Sequence, residues 1–374
     1  MLLKHLVLQH FRSYTQSDFA FSSGITYVVG PNTSGKSNLL ESIYLLSSGR
    51  SYRAESDMQM VEFKEEIGRV KGLLIDTERQ SVKAAEESAD RMELEVAIVR
   101  DSEGQSDKAA EGNGGKYKKK YFVNGVVRSR LKFAWNLKAL LFVPSHLDII
   151  VGSPSLRRGF FDEVLELVDP EYRHAALQYE KAIRQRNALL QTTRDTGIRN
   201  ESQFSYWNNL VITHGSLLTK KRNELVEFIN ISTRDVADIT VSYDASTISV
   251  DRLEQYKVAE VVSGVTLVGP HRDDFSVTLK DEKTGVVQNV RYFGSRGQQR
   301  LVVLQLKLLQ LEFIEKILGE RPLLLLDDIF SELDESHIQL VMEMVTKQQT
   351  IITTTHEEFI GGLKNDSTVI ELGK

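Results

Sequence analysis

A glycine-bounded loop near the start of the chain constrains its fold more than any other feature. The loop has the spacing G-x-x-x-x-G-K-S, follows the apolar run 25–29 and leads into the helix-like pattern of residues 38–45. A strand, a glycine loop and a helix start together let backbone N–H groups surround phosphate oxygens. A chance glycine turn is the alternative, but the flanking elements favour a nucleoside triphosphate site. The loop positions are Gly30, Pro31, Asn32, Thr33, Ser34, Gly35, Lys36 and Ser37.

Two residues of this loop and two distant acids carry the expected chemistry. Lys36 is expected to reach the outer phosphates, and the Ser37 hydroxyl to bind Mg²⁺. Residues 323–326 are four leucines followed by Asp327 and Asp328, the pattern of a buried parallel strand that delivers acids at its carboxyl end. We expect Asp327 to hold the metal, directly or through water, and Asp328 to face the attacking water. Taken alone, such acids can simply end a strand.

The composition narrows the class of protein. With 374 residues the chain can form one or two domains, or three lobes. No run approaches the ~20 apolar residues that cross a bilayer, and residues 1–5 lead into an alternating strand rather than a signal sequence. The absence of cysteine excludes disulfides and zinc-thiolate sites and suits a reducing cytoplasm. We expect a soluble, cytoplasmic protein. Its net charge of -5 means that any nucleic-acid binding must use a local basic surface.

Residues 2–8 and 67–127 have the pattern of short strands. Asn124-Gly125 between two of them is a strong hairpin signal. The polar stretches 77–90 and 101–115 separate the strands and are predicted to be mobile surface loops. The strands are predicted at residues 2–8, 69–75, 92–99 and 117–123, with Val126 and Val127 following the turn.

A helical period replaces the strand pattern after Pro154. An apolar face is interrupted at Pro170, and a third helix is predicted over residues 204–229. Strand signals then return, so the helical piece is predicted to be an insertion. These later signals lie at residues 239–243, 261–268 and 275–279, and another strand is predicted at 350–354.

The expected class is therefore α/β, with a nucleotide-binding lobe interrupted by a helical arm. Residues 1–150 are expected to form the N-terminal part of the lobe with an antiparallel β subdomain. Residues 151–235 are expected to form the arm. Residues 236–374 are expected to complete the lobe with its second set of nucleotide-site residues.

A second glycine-containing helix start lies at residues 295–300. The sequence Ser-Arg-Gly-Gln-Gln-Arg precedes a run with leucines at helical spacing. A hydroxyl, a glycine and amide side chains at a helix N-terminus form an anion-binding arrangement. A capped helix start is the alternative for this segment.

Taken together, these motifs resemble the head domains of ATP-binding-cassette ATPases. Ser295-Arg296-Gly297-Gln298-Gln299 is similar to their signature, Ser331-Glu332-Leu333-Asp334 follows the acidic strand, and His356 follows the strand after it, like a switch histidine. Further stretches narrow the resemblance, nearly end to end, to the RecF family of recombination-repair ATPases. These stretches are residues 11–14, 142–145, 152–158, 184–187 and 269–274.

Two features depart from that family. Residues between the loop glycines read Pro-Asn-Thr-Ser where the family more often has Asn-Gly, so Thr33 must accept the backbone angles that the loop imposes. Nucleotide affinity could differ as a result. The polar stretches 77–90 and 101–115 look longer and more charged than the family pattern, which leaves partner docking there open.

The resemblance implies a cassette-type head that binds ATP and Mg²⁺ and forms an ATP-dependent homodimer. Ser295 and Gly297 would then act in trans on the terminal phosphate, with Gln298 and Arg12 as further nucleotide contacts and His356 as a catalytic switch. Many cassette ATPases carry a longer glutamate at the position of Asp328, so we expect a weak, DNA-stimulated ATPase that serves as a switch.

The resemblance also implies binding of double-stranded and gapped DNA near single/double-strand junctions, with RecR and RecO type partners and loading of a recombinase. Phosphate contacts are expected from basic side chains, although a solvated charged face explains each cluster equally well. The alternative function is a cassette-type regulatory ATPase that acts on a protein assembly without DNA. The basic candidates are Lys116, Lys118, Lys119, Lys120, Arg128, Arg130, Lys132, Arg157, Arg158, Arg184 and Arg186.

The role of His271-Arg272-Asp273-Asp274 stays open at this point. The segment carries both signs of charge and precedes a predicted strand. It could couple the arm to the nucleotide site, or it could be a salt-bridged turn.

Overall fold

The computed structural model describes residues 1–76, 91–101, 117–234, 236–281, 284–332, 335–355 and 367–373. The predicted loop 77–90, and residues 102–115 of the predicted loop 101–115, lie outside these ranges. No helix within them is both long and apolar enough to cross a membrane.

The strands are β1 Leu2–Phe11, β2 Tyr14–Ala20, β3 Ile25–Val29, β4 Ile67–Ile75, β5 Arg91–Arg100, β6 Tyr117–Val123, β7 Val126–Arg128, β8 Ala139–Phe142, β9 Ile239–Asp244, β10 Asp274–Lys280, β11 Val287–Asn289, β12 Leu323–Asp327, β13 Thr350–Thr354 and β14 Ser367–Glu371. The helices are α1 Lys36–Ser48, α2 Arg130–Phe133, α3 Pro154–Val168, α4 Pro170–Thr196, α5 Glu201–Ile231, α6 Val250–Gln255, α7 Lys257–Ser263, α8 Val290–Phe293, α9 Arg296–Leu318 and α10 Glu335–Val345.

The chain divides into two compact units. Unit 1 combines Met1–Pro144 with Arg321–Lys374, and unit 2 is the continuous segment Ser145–Glu320. The sequence placed the boundaries of the helical part at 150 and 235, whereas unit 2 continues to residue 320. The reason is that β9, β10 and α9 pack against α3 and α5. The helix that follows the signature-like segment therefore belongs to the same unit as the arm.

Unit 1 contains a parallel sheet with the strand order β14-β3-β13-β12-β8. All four neighbouring pairs are parallel. Strands β3, β12 and β13 are buried along their whole length, which confirms the parallel strand predicted from the leucine run and the predicted strand at 350–354. This order places the carboxyl ends of β3, β13 and β12 side by side, where a ligand site is expected.

A second, antiparallel sheet of unit 1 has the order β2-β1-β4-β5-β6-β7. The predicted hairpin is present, with φ of 50° at Asn124 and 73° at Gly125, as a two-residue turn with positive φ at both central positions requires. Helix α1 contacts strands of both sheets. Its buried Leu39, Leu40 and Ile43 join one apolar core with residues of β1, β4 and β12. Since burial of one such side chain stabilises by ~1.5–3 kcal/mol, this packing fixes α1 and the loop before it.

Unit 2 is built on the three long helices α3, α4 and α5. Pro170 begins α4, where the Asp169 side chain accepts hydrogen bonds from the N–H groups of Glu171 and Tyr172. Only four residues join α4 to α5, so the two helices run antiparallel and pack along their length. The three helices predicted from the sequence are confirmed.

The three-stranded antiparallel sheet of unit 2 has the order β11-β10-β9. Strands β9 and β10 confirm the predictions at 239–243 and 275–279. The strand predicted at 261–268 is wrong, because this segment begins in helix α7, which is capped by Gly264 with φ 70°. The valines of that run suggested a strand, but a glycine that caps a helix in the left-handed region fits the observed ending.

Candidate nucleotide-binding site

The loop between β3 and α1 has the backbone that a phosphate loop needs. A Cβ on Gly30 would lie 2.6 Å from the carbonyl oxygen of Leu372, so a larger residue there would displace the chain beside it. Gly35 has φ 98° and precedes the first residue of α1. Both glycines of the motif are therefore required by geometry.

Thr33 lies in the left-handed region with φ 72°, as expected from its place in the loop. Its hydroxyl donates to the Asn32 carbonyl oxygen at 2.5 Å. A left-handed conformation costs a residue with a Cβ ~1–2 kcal/mol relative to glycine. The loop therefore carries local strain at the position where this chain departs from the family pattern.

Lys36 lies over the loop rather than pointing away from it. Its Nζ donates to the carbonyl oxygens of Gly30, at 2.7 Å, and Pro31, at 2.9 Å. Burial lowers the pKa of Lys36, whereas the nearby carboxylates of Asp328 and Asp327 raise it, and the net shift is downward. Lys36 is thus a cation held at the loop, with donors that phosphate oxygens can take over from the two carbonyls.

The two groups expected to hold Mg²⁺ meet directly. The Ser37 hydroxyl donates to Asp327 Oδ1 at 2.9 Å, across 290 residues of sequence. Thr353, on the strand between β3 and β12, donates to the same oxygen at 2.7 Å. Carboxylate and hydroxyl oxygens are the hard ligands that Mg²⁺ prefers beside phosphates, so these residues fit the ion.

Asp328 follows Asp327 in a left-handed conformation with φ 50°. Its backbone N–H donates to both the carbonyl oxygen and the hydroxyl of Thr353, each at 3.1 Å. Thr353 therefore holds both acids of the strand end. This residue was missed by sequence reasoning, because nothing in residues 350–354 alone marks one threonine as a partner of the acids.

The β1–β2 turn lies against the start of α1. Tyr14 donates to the carbonyl oxygen of Gly35 at 3.1 Å, and Arg12 binds Glu41 through Nε at 2.8 Å and Nη2 at 2.6 Å. Glu41 is fully buried and also accepts from Ser51 at 2.5 Å. The expected nucleotide contact of Arg12 stays a prediction, because its guanidinium is engaged by Glu41 in this structure.

A second residue that sequence reasoning missed is Tyr52. Its hydroxyl lies 3.3 Å from Asp327 Oδ2 and 3.4 Å from the carbonyl oxygen of Ser37. Burial is the main cause that raises the pKa of this phenol, and the negative charge of Asp327 adds to it, so Tyr52 stays protonated and can donate. No sequence signal could have found it, since 275 residues separate it from the acid.

The signature-like segment of unit 2 forms a capped helix start, the simpler alternative from the sequence. Ser295 Oγ accepts from the N–H of Gln298 at 3.2 Å, while the Gln298 side chain accepts from the N–H of Ser295 at 2.9 Å. Gly297 is exposed, and a Cβ placed on it would approach nothing closer than 4.0 Å. This exposed N-terminus of the 23-residue helix α9 can still accept an anion. His356 and the pair Leu333-Asp334 lie outside the described residues.

Comparisons with known proteins agree with this geometry. The family model described as RecF/RecN/SMC N terminal domain matches residues 2–371. The DNA replication and repair protein RecF of Cyanothece sp. is 32% identical over 378 residues, which cover 95% of this chain and 92% of that protein. The chain belongs to the RecF family. The RecF protein of Thermosynechococcus vestitus is also 32% identical, over 95% of this chain and 91% of its own length.

Solved RecF structures have the same architecture. The recombination mediator protein RecF-ATP in the RecFOR pathway matches with a TM-score of 0.79 and 28% identity, over 95% of this chain and 92% of that chain. The structure named RecF-ATPrS in the same pathway matches with a TM-score of 0.78 and 28% identity, over 96% and 93% of the two chains. The predicted fold, a cassette-type head with an antiparallel β subdomain and a helical insertion, is confirmed.

In this RecF family member, part of the lysine cluster on β6 faces outward. Lys118 and Lys120 are exposed on one face of the strand, as strand alternation requires. Lys118 pairs with Asp101 at 2.6 Å, whereas Lys119 points to the other face and pairs with Asp57 at 2.6 Å. Lys116 lies outside the described residues. Contact of Lys118 and Lys120 with DNA stays a prediction.

The basic residues after the hairpin and on α4 are placed differently from one another. Arg128 and Lys132 are exposed. Arg130 is partly buried and donates to the carbonyl oxygen of Ser48 at 3.4 Å. Arg184 is 71% exposed and pairs with Glu180 one turn earlier at 3.1 Å. DNA contacts by these side chains stay predictions.

Two arginines proposed as DNA contacts are corrected by the structure. Arg157 is 2% exposed and binds Asp274 through Nε at 2.5 Å and Nη2 at 3.0 Å. Arg186 is 1% exposed and binds Glu260 at 2.6 Å. A buried, paired guanidinium has no free donors at the surface, so both residues hold unit 2 together instead. Arg158 is also drawn inward, because it donates to the carbonyl oxygen of Asp273 at 2.9 Å.

The segment 269–274, whose role was open, makes a set of buried hydrogen bonds within unit 2. Asp273 is fully buried and accepts from Arg222 Nη1 at 2.8 Å, from the Tyr243 hydroxyl and from the N–H of Ser246 at 2.7 Å. Burial raises the pKa of Asp273, although the donors oppose that shift. Arg222 also reaches Asp162 at 2.8 Å. The segment is therefore more than a surface salt-bridged turn, because it ties four elements of unit 2 to one another.

His271 belongs to the same segment, and its tautomer follows from its neighbours. Nε2 lies 3.0 Å from the carbonyl oxygen of Thr266, and Nδ1 lies 2.7 Å from the Tyr179 hydroxyl. A carbonyl only accepts, so Nε2 carries the proton and Nδ1 accepts from Tyr179. Burial lowers the pKa of His271 to about 4, although the hydrogen bond to Thr266 opposes the shift. The ring is neutral at physiological pH.

Proposed function

We propose that this RecF family protein is an ATP-dependent DNA-binding protein of recombinational repair and replication-gap repair. The observation that carries the proposal is the meeting of the phosphate-loop Ser37 with Asp327 at 2.9 Å. The names of its relatives, DNA replication and repair protein RecF, and of the similar RecF-ATP structure support it. Residues 30–37 then bind ATP, with Lys36 donating to the outer phosphates in place of the loop carbonyls.

Mg²⁺, bound by Ser37 and Asp327, would neutralise phosphate charge at this site. The second half of the site comes from another copy of the chain, so ATP drives formation of a homodimer. Ser295 and Gly297 of one copy then act in trans on the terminal phosphate bound by the other. The open N-terminus of α9 supports this role, because its backbone N–H groups and helix dipole favour an anion.

Hydrolysis resets the dimer and is slow. Asp328 is proposed as the residue that orients the attacking water, with His356 as a switch, and an aspartate reaches less far than a glutamate. The Asp328→Asn variant should bind ATP with unchanged affinity and hydrolyse it ~10²–10⁴-fold more slowly, the range for loss of one general base. Single-turnover phosphate release measures this effect, and an unchanged rate would remove Asp328 from the role.

The dimer is proposed to hold double-stranded DNA near single/double-strand junctions and to promote recombinase loading with RecR and RecO type partners in the cytoplasm. Lys118, Lys120, Arg128 and Arg184 remain candidate contacts because they are exposed. Contacts of this kind reach phosphates, so sequence preference should be weak and salt dependence steep. If Lys118 and Lys120 contact phosphates, a Lys118→Gln/Lys120→Gln double variant should bind DNA less tightly, and its affinity should depend less steeply on salt concentration. Reduced affinity with an unchanged salt dependence would argue against direct phosphate contacts there.

The decisive experiment compares binding to gapped duplex DNA with and without ATP and Mg²⁺. Wild-type protein should bind with ATP and show a larger mass in analytical ultracentrifugation, whereas Lys36→Arg should bind ATP less well and lose both responses. Nucleotide-dependent dimerisation without DNA binding at any salt concentration would select the alternative, a cassette-type regulatory ATPase acting on a protein assembly.

A further inference from the structure

The segment after α1 folds back onto the nucleotide-facing start of that helix. Ser51 donates to Glu41 Oε1 at 2.5 Å, and Arg53 donates to Asn38 Oδ1 at 3.0 Å. Both acceptors lie on α1. Tyr52, between these two anchors, is therefore held over the first turns of the helix.

The ring and the hydroxyl of Tyr52 are fixed by different neighbours. The ring packs edge-on against Tyr44, with centroids 5.7 Å apart and an interplanar angle of 90°. The hydroxyl has one proton and two acceptors in reach, Asp327 Oδ2 at 3.3 Å and the carbonyl oxygen of Ser37 at 3.4 Å. Removal of the hydroxyl alone would leave the ring packing and both anchors in place.

The donors to Asp327 are divided between its two oxygens. Ser37 and Thr353 donate to Oδ1, at 2.9 and 2.7 Å, and Tyr52 reaches Oδ2. Ser37 can bind Mg²⁺ through a lone pair of its hydroxyl oxygen while its proton still donates to Oδ1 of Asp327. Tyr52 restrains the other oxygen, Oδ2, so its hydroxyl limits rotation of the carboxylate in a way that two donors to Oδ1 do not.

We propose that Tyr52 is a positioning residue for the magnesium site. Its hydroxyl holds Oδ2 of Asp327 and so fixes the rotation of the carboxylate that the ion needs. This inference rests on the proposed function, in which Ser37 and Asp327 bind Mg²⁺ beside ATP. Partners that orient a ligating carboxylate are worth ~10–100-fold in metal affinity. The long hydrogen bond of Tyr52 points to the lower end of that range.

The test is the Tyr52→Phe variant, which keeps the ring. Isothermal titration with ATP, first in EDTA and then over a series of MgCl₂ concentrations, separates nucleotide affinity from metal affinity. We expect unchanged ATP binding in EDTA and a midpoint for the Mg²⁺-dependent gain that moves ~10-fold higher. The matched control is Tyr14→Phe, whose hydroxyl donates to Gly35 at 3.1 Å and makes no contact with Asp327. It should leave the Mg²⁺ midpoint in place.

The outcomes separate this inference from the proposed function. A Tyr52→Phe midpoint equal to that of the wild type, in a wild-type protein that needs Mg²⁺, would overturn the role of Tyr52 alone. ATP binding by the wild type that is independent of Mg²⁺ would overturn both. A midpoint that moves equally in the Tyr14→Phe control would show a general effect on the loop and would also overturn the role.

Discussion

The phosphate-loop region of unit 1 and the segment 269–274 of unit 2 both gather charged side chains, but they satisfy them in different ways. Lys36 is 8% exposed and donates to loop carbonyls, and Ser37 donates to an acid. Phosphate oxygens can replace the carbonyls bound to Lys36, and the Ser37 hydroxyl oxygen keeps lone pairs for a cation. Asp273 and Arg222 instead bind side chains and backbone of other elements of the same unit.

This difference separates the polar groups that serve ligand binding from those that stabilise the fold. A group whose partners are loop carbonyls can exchange them for a ligand without leaving a buried charge unpaired. A group whose partners are buried on several elements cannot, because each lost bond leaves a desolvated charge. Substitutions in the first region should therefore change ligand affinity, and substitutions in the second should change stability.

The largest expected effect is the loss of Arg222. Its side chain is 4% exposed, and it donates to Asp162, Asp273, Tyr172 and the carbonyl oxygen of Pro270. Arg222→Met should lower the free energy of unfolding by ~3–5 kcal/mol, because it leaves the buried Asp273 without its cationic partner. Urea denaturation measures this loss. The control Arg184→Met removes an exposed ion pair and should cost less than ~1 kcal/mol of stability. Equal losses in the two variants would contradict the stabilising role of the buried hydrogen bonds of Arg222.

Lys36→Ala should change ATP affinity much more than stability. Loss of the charged donors at the phosphates should weaken ATP binding ~100-fold or more. Stability without nucleotide should change by less than ~1 kcal/mol, because Lys36 donates to loop carbonyls and the buried Asp327 keeps its hydrogen bonds from Ser37 and Thr353. Calorimetry with ATP and denaturation without it test the two halves. A large loss of stability would mean that the loop needs Lys36 to fold.

Acid should destabilise unit 2 through His271. Burial depresses the folded-state pKa of His271 to about 4, whereas an unfolded histidine titrates near pH ~6.5. The unfolded state therefore takes up the proton first, and stability present above pH ~6.5 should fall by ~2–3 kcal/mol as the pH decreases to ~4. His271→Gln keeps a donor and an acceptor, so its unfolding free energy should lose less over this range. Parallel slopes for the two proteins would exclude His271 as the cause.

The smallest expected effect is at Thr33. Thr33→Gly removes a left-handed strain of ~1–2 kcal/mol but adds ~0.5–1 kcal/mol of chain entropy to the unfolded state. We expect a net stabilisation of ~0.5–1 kcal/mol in denaturant titrations without nucleotide. Destabilisation by this variant would mean that the hydroxyl contact with Asn32 matters more than the backbone angle.

The nucleotide half of the molecule was predictable because its signals are local. A glycine loop between a strand and a helix, and a leucine run that ends in acids, each specify their geometry within a few residues. Thr353 and Tyr52 were missed because their significance comes from contacts with Asp327 across 26 and 275 residues. Such contacts depend on the strand order of the sheet, which the sequence pattern does not fix.

The wrong predictions of DNA contacts by Arg157 and Arg186 have the same physical origin. An arginine in a sequence is expected to be solvated or to bind phosphate, unless a buried acid pairs with it in the folded protein. The acids that pair with Arg157 and Arg186 lie 117 and 74 residues away. The strand predicted at 261–268 failed for a different reason, because its valines outweighed the helix-ending signal of Gly264.

The order of strands in the parallel sheet of unit 1 has a consequence for the synthesis of the protein. Strands β12 and β13 lie between β8 and β3 in the sheet, yet they are translated about 180 residues after β8. The side chain of Gln349, just before β13, also bonds the N–H and carbonyl groups of Leu3. A nascent chain thus exposes its phosphate loop long before Asp327 and Thr353 exist, while the continuous unit 2 can already fold. The site is completed only after Thr353 has been translated, so a product truncated before Asp327 carries the loop without its acids.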